Sequence, residues 1–148
     1  MPMSNASGLV DTNILVYATD SASEYHRKAR AFLEKNIPRG NLILSLQNLT
    51  EFYSLITNPK IFVDTFTSKE AREEIKKIIL GKHYQLILPL KETPFTVLKL
   101  LSRYKAKGRE IHDILLAAVM IDNKINTIYT ADTKIFSKLD LKAINPLA

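Results

Sequence analysis

The segment LVDTNILVYA, Leu9 to Ala18, joins an apolar strand end, an acid and a helix start without a spacer. Leu9 and Val10 form a short apolar run that stops at Asp11, and Thr12-Asn13 then opens a helix carrying Ile14, Leu15, Val16 and Tyr17. Such a junction belongs to a strand-helix-strand unit, and the same rhythm recurs downstream.

A second helix is predicted from about Glu24 to Glu34, with Tyr25, Ala29, Phe32 and Leu33 at helical spacing and Asn36 with Pro38 as its stop. Leu42-Ile43-Leu44 reads as a buried strand and Ser45 as the N-cap of a helix whose apolar stripe is Leu46, Leu49, Phe52, Tyr53 and Ile56. Glu51 sits away from the centre of that stripe, and Asn58-Pro59 ends the helix. Thr67-Ser68-Lys69-Glu70 has the form of a capping box for a helix with Ala71, Ile75, Ile78 and Ile79 facing inward and Gly81 at its C′ position. Leu86-Ile87-Leu88 is the third strand, and Thr93-Pro94 an N-cap and first helical residue for a helix through Tyr104 rich in Leu98, Leu100 and Leu101. The basic loop Lys105-Ala106-Lys107-Gly108-Arg109 leads into an apolar helix from Ile111 to about Asp122. Thr127 to Thr130 is a fourth strand, Asp132 to Leu139 a loop and short helix, and Ala143-Ile144 a last edge strand. Lys60 to Phe66 fits no element and reads as a surface loop beside the site.

This alternation favours a parallel sheet covered on both faces, with right-handed crossovers. The expected class is α/β, three layers α/β/α around a central, mostly parallel sheet of four to five strands. At 148 residues and 46% hydrophobic, the chain supports one well-buried core and hence a single domain over residues 1–148. Twenty-one Lys and Arg against 15 Asp and Glu give a formal charge of +6, which favours polyanionic partners such as nucleic acid. The absence of Cys removes disulfides, thiolate nucleophiles and Cys-type zinc sites, and fits a reducing cytoplasm. The start of the chain, Met1 to Gly8, lacks the regions of a signal peptide, and no apolar run approaches the roughly 20 residues that span a bilayer. A cytoplasmic protein without a membrane segment is the expectation.

In an open parallel sheet, ligands bind beyond the carboxyl ends of the strands. Asp11 ends the first strand, Glu51 lies on the helix after the second, Asp113 is in the first turn of its helix, and Asp132 follows the fourth strand. Singly, each has an ordinary explanation as an N-cap, a solvated helix residue, a complement to a helix dipole or a turn former. Gathered on one edge they would repel one another unless a hard cation such as Mg²⁺ neutralised them, so together they read as a metal site for phosphodiester hydrolysis. Competing sets are missing: no G-x-S-x-G elbow, no phosphate-binding Gly-rich loop and no H-E-x-x-H. His26, His83 and His112 lack ligand spacing, and His112 reads as a core or surface residue rather than a base.

Four segments, LVDTNILVYA (Leu9 to Ala18), LSLQNLTEFYSLITNP (Leu44 to Pro59), IHDILLAAVM (Ile111 to Met120) and TADTKIF (Thr130 to Phe136), resemble the PIN-domain ribonucleases in the family's order. Within that family the chain is similar to the VapC-type toxins of prokaryotic toxin-antitoxin pairs. The resemblance implies a PIN-like fold in which Asp11, Glu51, Asp113 and Asp132 are the catalytic, metal-binding quartet for Mg²⁺ or Mn²⁺, with Asn13 and Thr130 as polar supports. It further implies hydrolysis of RNA with one or two ions, 5′-phosphate and 3′-hydroxyl ends, a cognate antitoxin protein and a homodimer. Position and charge make Lys105, Lys107 and Arg109 candidate RNA-binding residues, against the plainer reading of a solvated loop. A housekeeping RNA-processing nuclease of the same fold and chemistry stays open, to be separated by gene neighbourhood. From a different class, Asp11 as phosphoacceptor of a receiver-like signalling domain would need an acceptor at the end of the middle strand, yet Leu88 is followed by Pro89-Leu90.

Overall fold

In the computed structural model, which describes residues 7–148, strand β1 (Gly8–Val10) turns at Asp11 into helix α1 (Thr12–Thr19), followed by α2 (His26–Asn36). Strand β2 (Leu42–Ser45) leads into α3 (Leu46–Ile56) and α4 (Ser68–Leu80), and β3 (Gln85–Ile87) into α5 (Thr93–Tyr104) and α6 (Glu110–Asp122). Strand β4 (Thr127–Tyr129), α7 (Thr133–Lys138) and β5 (Lys142–Ile144) complete the order. The five strands form one sheet in the order β3-β2-β1-β4-β5, parallel throughout. β1 and β2 are buried along their whole length, as parallel strands covered on both faces must be.

Alternation along each strand divides the core in two. Leu9, Ile43 and Ile128 face Leu100, Ile114, Ala117, Met120 and Phe136 of α5, α6 and α7. Val10, Leu42 and Leu44 face Ile14, Leu33, Phe52 and Ala71 of α1 to α4. Gly8 opens β1 beneath the ring of Tyr129, and any Cβ there would collide with that ring. The chain runs from β1 outward to β3 and then returns to the other side of β1, so the direction of winding reverses between β1 and β4. Ligands of open α/β sheets bind at such a reversal. A receiver-like sheet has the order 2-1-3-4-5, with β3 central, whereas here β3 is an edge strand, so that alternative falls.

Several local expectations are corrected. Helix α2 runs through Asn36, and Pro38 sits inside a following 3₁₀ turn, Ile37–Arg39, which a proline's fixed φ tolerates. Gly81 is not left-handed: its φ is −70°, and Lys82 takes the positive φ of 56°. Ile79 and Leu46 are exposed although their spacing put them on inner stripes, and so is Leu98 of the Leu-rich helix α5. Residues 86–88 shift by one, with Leu88 outside the strand and exposed. Thr93 is the first helical residue rather than the cap; its hydroxyl accepts from the Leu90 N–H at 2.8 Å. The segment Lys60 to Phe66 is an irregular loop with Ile61 and Val63 exposed, as expected, but it is anchored: Phe62 is buried in the core and meets Phe66 edge-on at 5.6 Å.

Candidate functional site at the sheet edge

Asp11 caps α1 from the end of the central strand. Its Oδ1 accepts from the Thr12 backbone N–H at 2.8 Å, and its Oδ2 accepts from the hydroxyl of Thr130 at 2.7 Å. Thr130 is wholly buried just past β4, and its oxygen also accepts from the Asp132 N–H at 2.9 Å. One hydroxyl therefore holds the Asp11 carboxylate and shapes the turn that carries Asp132. Asn13 pins the same turn more loosely, accepting from Ala131 N–H at 3.4 Å.

Glu51 projects from α3 toward α1. Its Oε2 accepts from the Thr12 hydroxyl at 3.1 Å and its Oε1 from the Gln47 amide at 2.9 Å. Gln47 also donates to the His112 carbonyl at 2.9 Å, tying α3 to the first turn of α6 where Asp113 lies. Asp113 is half-buried, whereas Asp132 is exposed at the start of α7 and makes no capping bond.

Electrostatic coupling follows from this placement. Burial pushes the Asp11 carboxyl up to about 6; the bonds from Thr130 and Thr12 oppose this, and the charges of Glu51 and Asp113 add to it. Asp113 is also raised, first by burial and then by Asp132 and Glu51, with His112 acting the other way. Negative charges thus lie close enough to disfavour one another.

The PIN domain profile matches residues 8–142. This chain belongs to the PIN domain family. No curated protein matches it by sequence. Among solved structures, this PIN domain is similar to VapC20 of Mycobacterium tuberculosis, described as a sarcin-ricin loop cleaving toxin, with TM-score 0.70 and 18% identity over 91% of this chain and 96% of the other. FitAcB from Neisseria gonorrhoeae superposes with TM-score 0.66 and 20% identity, covering 93% and 96%. VapBC2 of Rickettsia felis, bound to a promoter DNA fragment, gives TM-score 0.63 and 20% identity over 93% and 96%. At these identities the likeness carries the fold.

In this PIN domain the acidic side chains supply oxygen donors only, the set a hard divalent cation takes. Asp11 and Glu51 each accept two hydrogen bonds, which leaves lone pairs free on both carboxylates. Among the described residues no three acidic or imidazole groups stand close enough to hold an ion as they are. Holding one would require an inward rotation, for which exposed Asp132 has the freedom.

The basic loop divides. Arg109 lines a cavity of about 460 Å³ with Gln47, Glu51, Ser54 and His112, so of the four acids it shares a wall with Glu51. Lys105 closes α5 with a φ of 47°, and Lys107 is held through its backbone N–H by Glu110 at 2.7 Å; neither lines that cavity. Sequence reasoning missed a buried chain of polar groups behind the acids. Asn48 accepts from Ser45 and donates to the Thr12 hydroxyl at 3.1 Å, which in turn donates to Glu51. Its only signals were Asn48 at the third position after a Ser cap and Gln47 four residues before Glu51, both ordinary helix-start features.

Proposed function

We propose that this PIN domain is a metal-dependent endoribonuclease, a single nuclease domain that hydrolyses RNA phosphodiester bonds as the toxin of a type II toxin-antitoxin system in the cytoplasm. The observation that carries it is the coupled set of Asp11, Glu51 and Asp113, with Asp132 beside Asp113, at the winding reversal of a PIN-family sheet. Among structures of this shape, one is described as a sarcin-ricin loop cleaving toxin and another as a toxin-antitoxin complex, which supports a cognate antitoxin as partner. Exposed apolar side chains around the start of α5, Leu88, Leu90, Phe95 and Leu98, support a homodimer. Among the described residues no helix is long and apolar enough to cross a membrane.

In this reading Asp11, Glu51, Asp113 and Asp132 are the catalytic and metal-holding acids for Mg²⁺ or Mn²⁺, and Asn13 and Thr130 support them. A divalent ion bound there would supply positive charge to the scissile phosphate and acidify the water that attacks it. The chain's own part is preorganisation. Asp11 is held by Thr130 and Thr12, and Glu51 by Thr12 and Gln47, so their oxygens are fixed to orient the attacking water and take up its proton. Arg109, on the wall beside Glu51, offers a forked donor to the phosphate oxygens, while Lys105 and Lys107 stand farther out as general attraction for RNA.

The test is direct. Purified protein freed of any antitoxin should cut RNA in Mg²⁺ or Mn²⁺, stop in EDTA, and leave 5′-phosphate ends. Failure to cut any RNA with either ion would remove the nuclease reading, and cutting in EDTA would remove the metal.

A further inference from the structure

We propose that the cleft between α2 and the free edge of β5 binds the RNA strand beyond the cleavage site. The proposal rests on the ribonuclease reading above for the identity of the polymer. Lys28, Phe32, Lys35 and Arg39 follow one another at intervals of four, three and four residues, so they share one face of α2 and its 3₁₀ extension. That face looks into an open cleft of about 490 Å³ whose other wall is Ile144 and Pro146. Lys28, Lys35 and Arg39 are exposed, and among the described residues none of the three takes part in an ion pair. Lys28 donates to the Leu147 carbonyl at 3.2 Å, which fixes its stem at the rim.

The floor differs in kind from the rim. The Phe32 ring is half-buried and tilted against Tyr129 at 4.8 Å between centroids. Cations along a rim over an aromatic and aliphatic floor match a single strand, whose phosphates meet the cations while a base lies on the ring. From Lys28 to Arg39 the helix rises about 16 Å, long enough to face more than one phosphate.

Position connects the cleft to the acids. Ile144 in its wall accepts from the Thr130 N–H at 2.9 Å, and Thr130 holds Asp11. Only β5, about 4.8 Å across, separates the cleft from the turn that carries the acidic edge. A strand crossing the acidic edge over β4 would meet the cleft first at Ile144 and Pro146, while Arg39, just before β2, lies toward the opposite edge. An acidic protein segment would satisfy the cations equally, but continuity with the acidic edge favours RNA.

The experiment measures binding of single-stranded RNA in an Asp11→Asn background, so that the RNA survives, by fluorescence anisotropy at several salt concentrations. The variant Lys28→Gln/Lys35→Gln/Arg39→Gln should reduce the slope of log K against log salt by about 2, since each neutralised phosphate contributes about 0.7. It should also abolish the gain in affinity between oligomers of roughly 4 and roughly 12 nucleotides. The double variant Lys35→Gln/Arg39→Gln, which spares the Lys28 contact to Leu147, should give most of that loss with an unchanged melting temperature. An unchanged slope and length dependence overturns the proposal, as does loss of poly-glutamate binding with RNA binding intact. If the protein with Asp11 intact cuts no RNA yet the slope still falls, the cleft stands and the nuclease reading alone fails.

Discussion

Asp11 and Asp122 are both half-buried aspartates that accept two short hydrogen bonds at a helix end. Asp122 closes α6 and receives the hydroxyls of Thr93 at 2.7 Å and Thr96 at 2.8 Å, so it clips the start of α5 to the end of α6. An acid is unfavourable at a helix C-terminus, and the two threonines offset that cost. Asp11 receives the Thr130 hydroxyl and the Thr12 N–H, an equal count, but its neighbours are Glu51 and Asp113. A hydrogen-bond inventory cannot separate these two residues; the charge of their surroundings does. One is a clip, and the other stands among like charges.

The sharpest way to break the comparison is to remove each acid and measure RNA cleavage in Mg²⁺. Asp11→Asn should lower the rate at least about a hundredfold with the fold retained, because it removes a donor that positions the reacting water. Asp122→Ala should leave the rate of the folded protein near its original value. Equal losses in both would mean that the two aspartates do the same job.

Stability should show the reverse order. Asp122→Ala leaves buried Thr93 without its acceptor and should cost about 1–3 kcal/mol, read as a lower urea midpoint at constant m. Asp11→Asn should cost nothing at neutral pH.

Titration sharpens the contrast further. With the Asp11 carboxyl raised from 3.8 to about 6, the folded protein binds more protons than the unfolded chain between those values. Its stabilising contribution is complete below about pH 4 and is lost as pH rises through 6, on the order of 3 kcal/mol in all. The raised Asp113 acts in the same direction. Denaturant unfolding across pH 4 to 7 should therefore show stability falling without divalent ions, a smaller fall in Asp11→Asn, and recovery on adding Mg²⁺ at pH 7. Stability that rises steadily over this range in the absence of ions would contradict the coupling.

The smallest effect separates the basic loop. Arg109→Ala should lower the salt slope of RNA binding by about 0.7, one phosphate, whereas Lys107→Ala should change it less. A larger loss at Lys107 would show that the cavity wall is not where the phosphate lies.

Much of this architecture was legible because its determinants are local. The apolar run Leu42-Ile43-Leu44, the Thr67 and Glu70 capping box and the Asn58-Pro59 stop depend on neighbours within one turn, and the structure bears them out. The edge position of Asp11, Glu51, Asp113 and Asp132 followed from the alternation of strands and helices, since any parallel sheet of that pattern points its strand ends the same way. The family followed from four segments in order, and the profile match over residues 8–142 agrees.

Spacing alone could not say which of several apolar faces would be covered. Leu46 and Leu98 keep helical spacing yet stay exposed, while Phe62 leaves an unpatterned segment to enter the core. The strand order that puts β1 beside β4, the hydroxyls of Thr12 and Thr130 on the two carboxylates, and the separation of Arg109 from Lys107 all arise from pairings between residues far apart in the chain. Sequence by itself determined which groups the chain carries and on which edge they emerge, because those depend on backbone periodicity. Only the tertiary structure decided which of them touch, because long-range contacts are selected by the packing of the whole core and leave no local pattern to read.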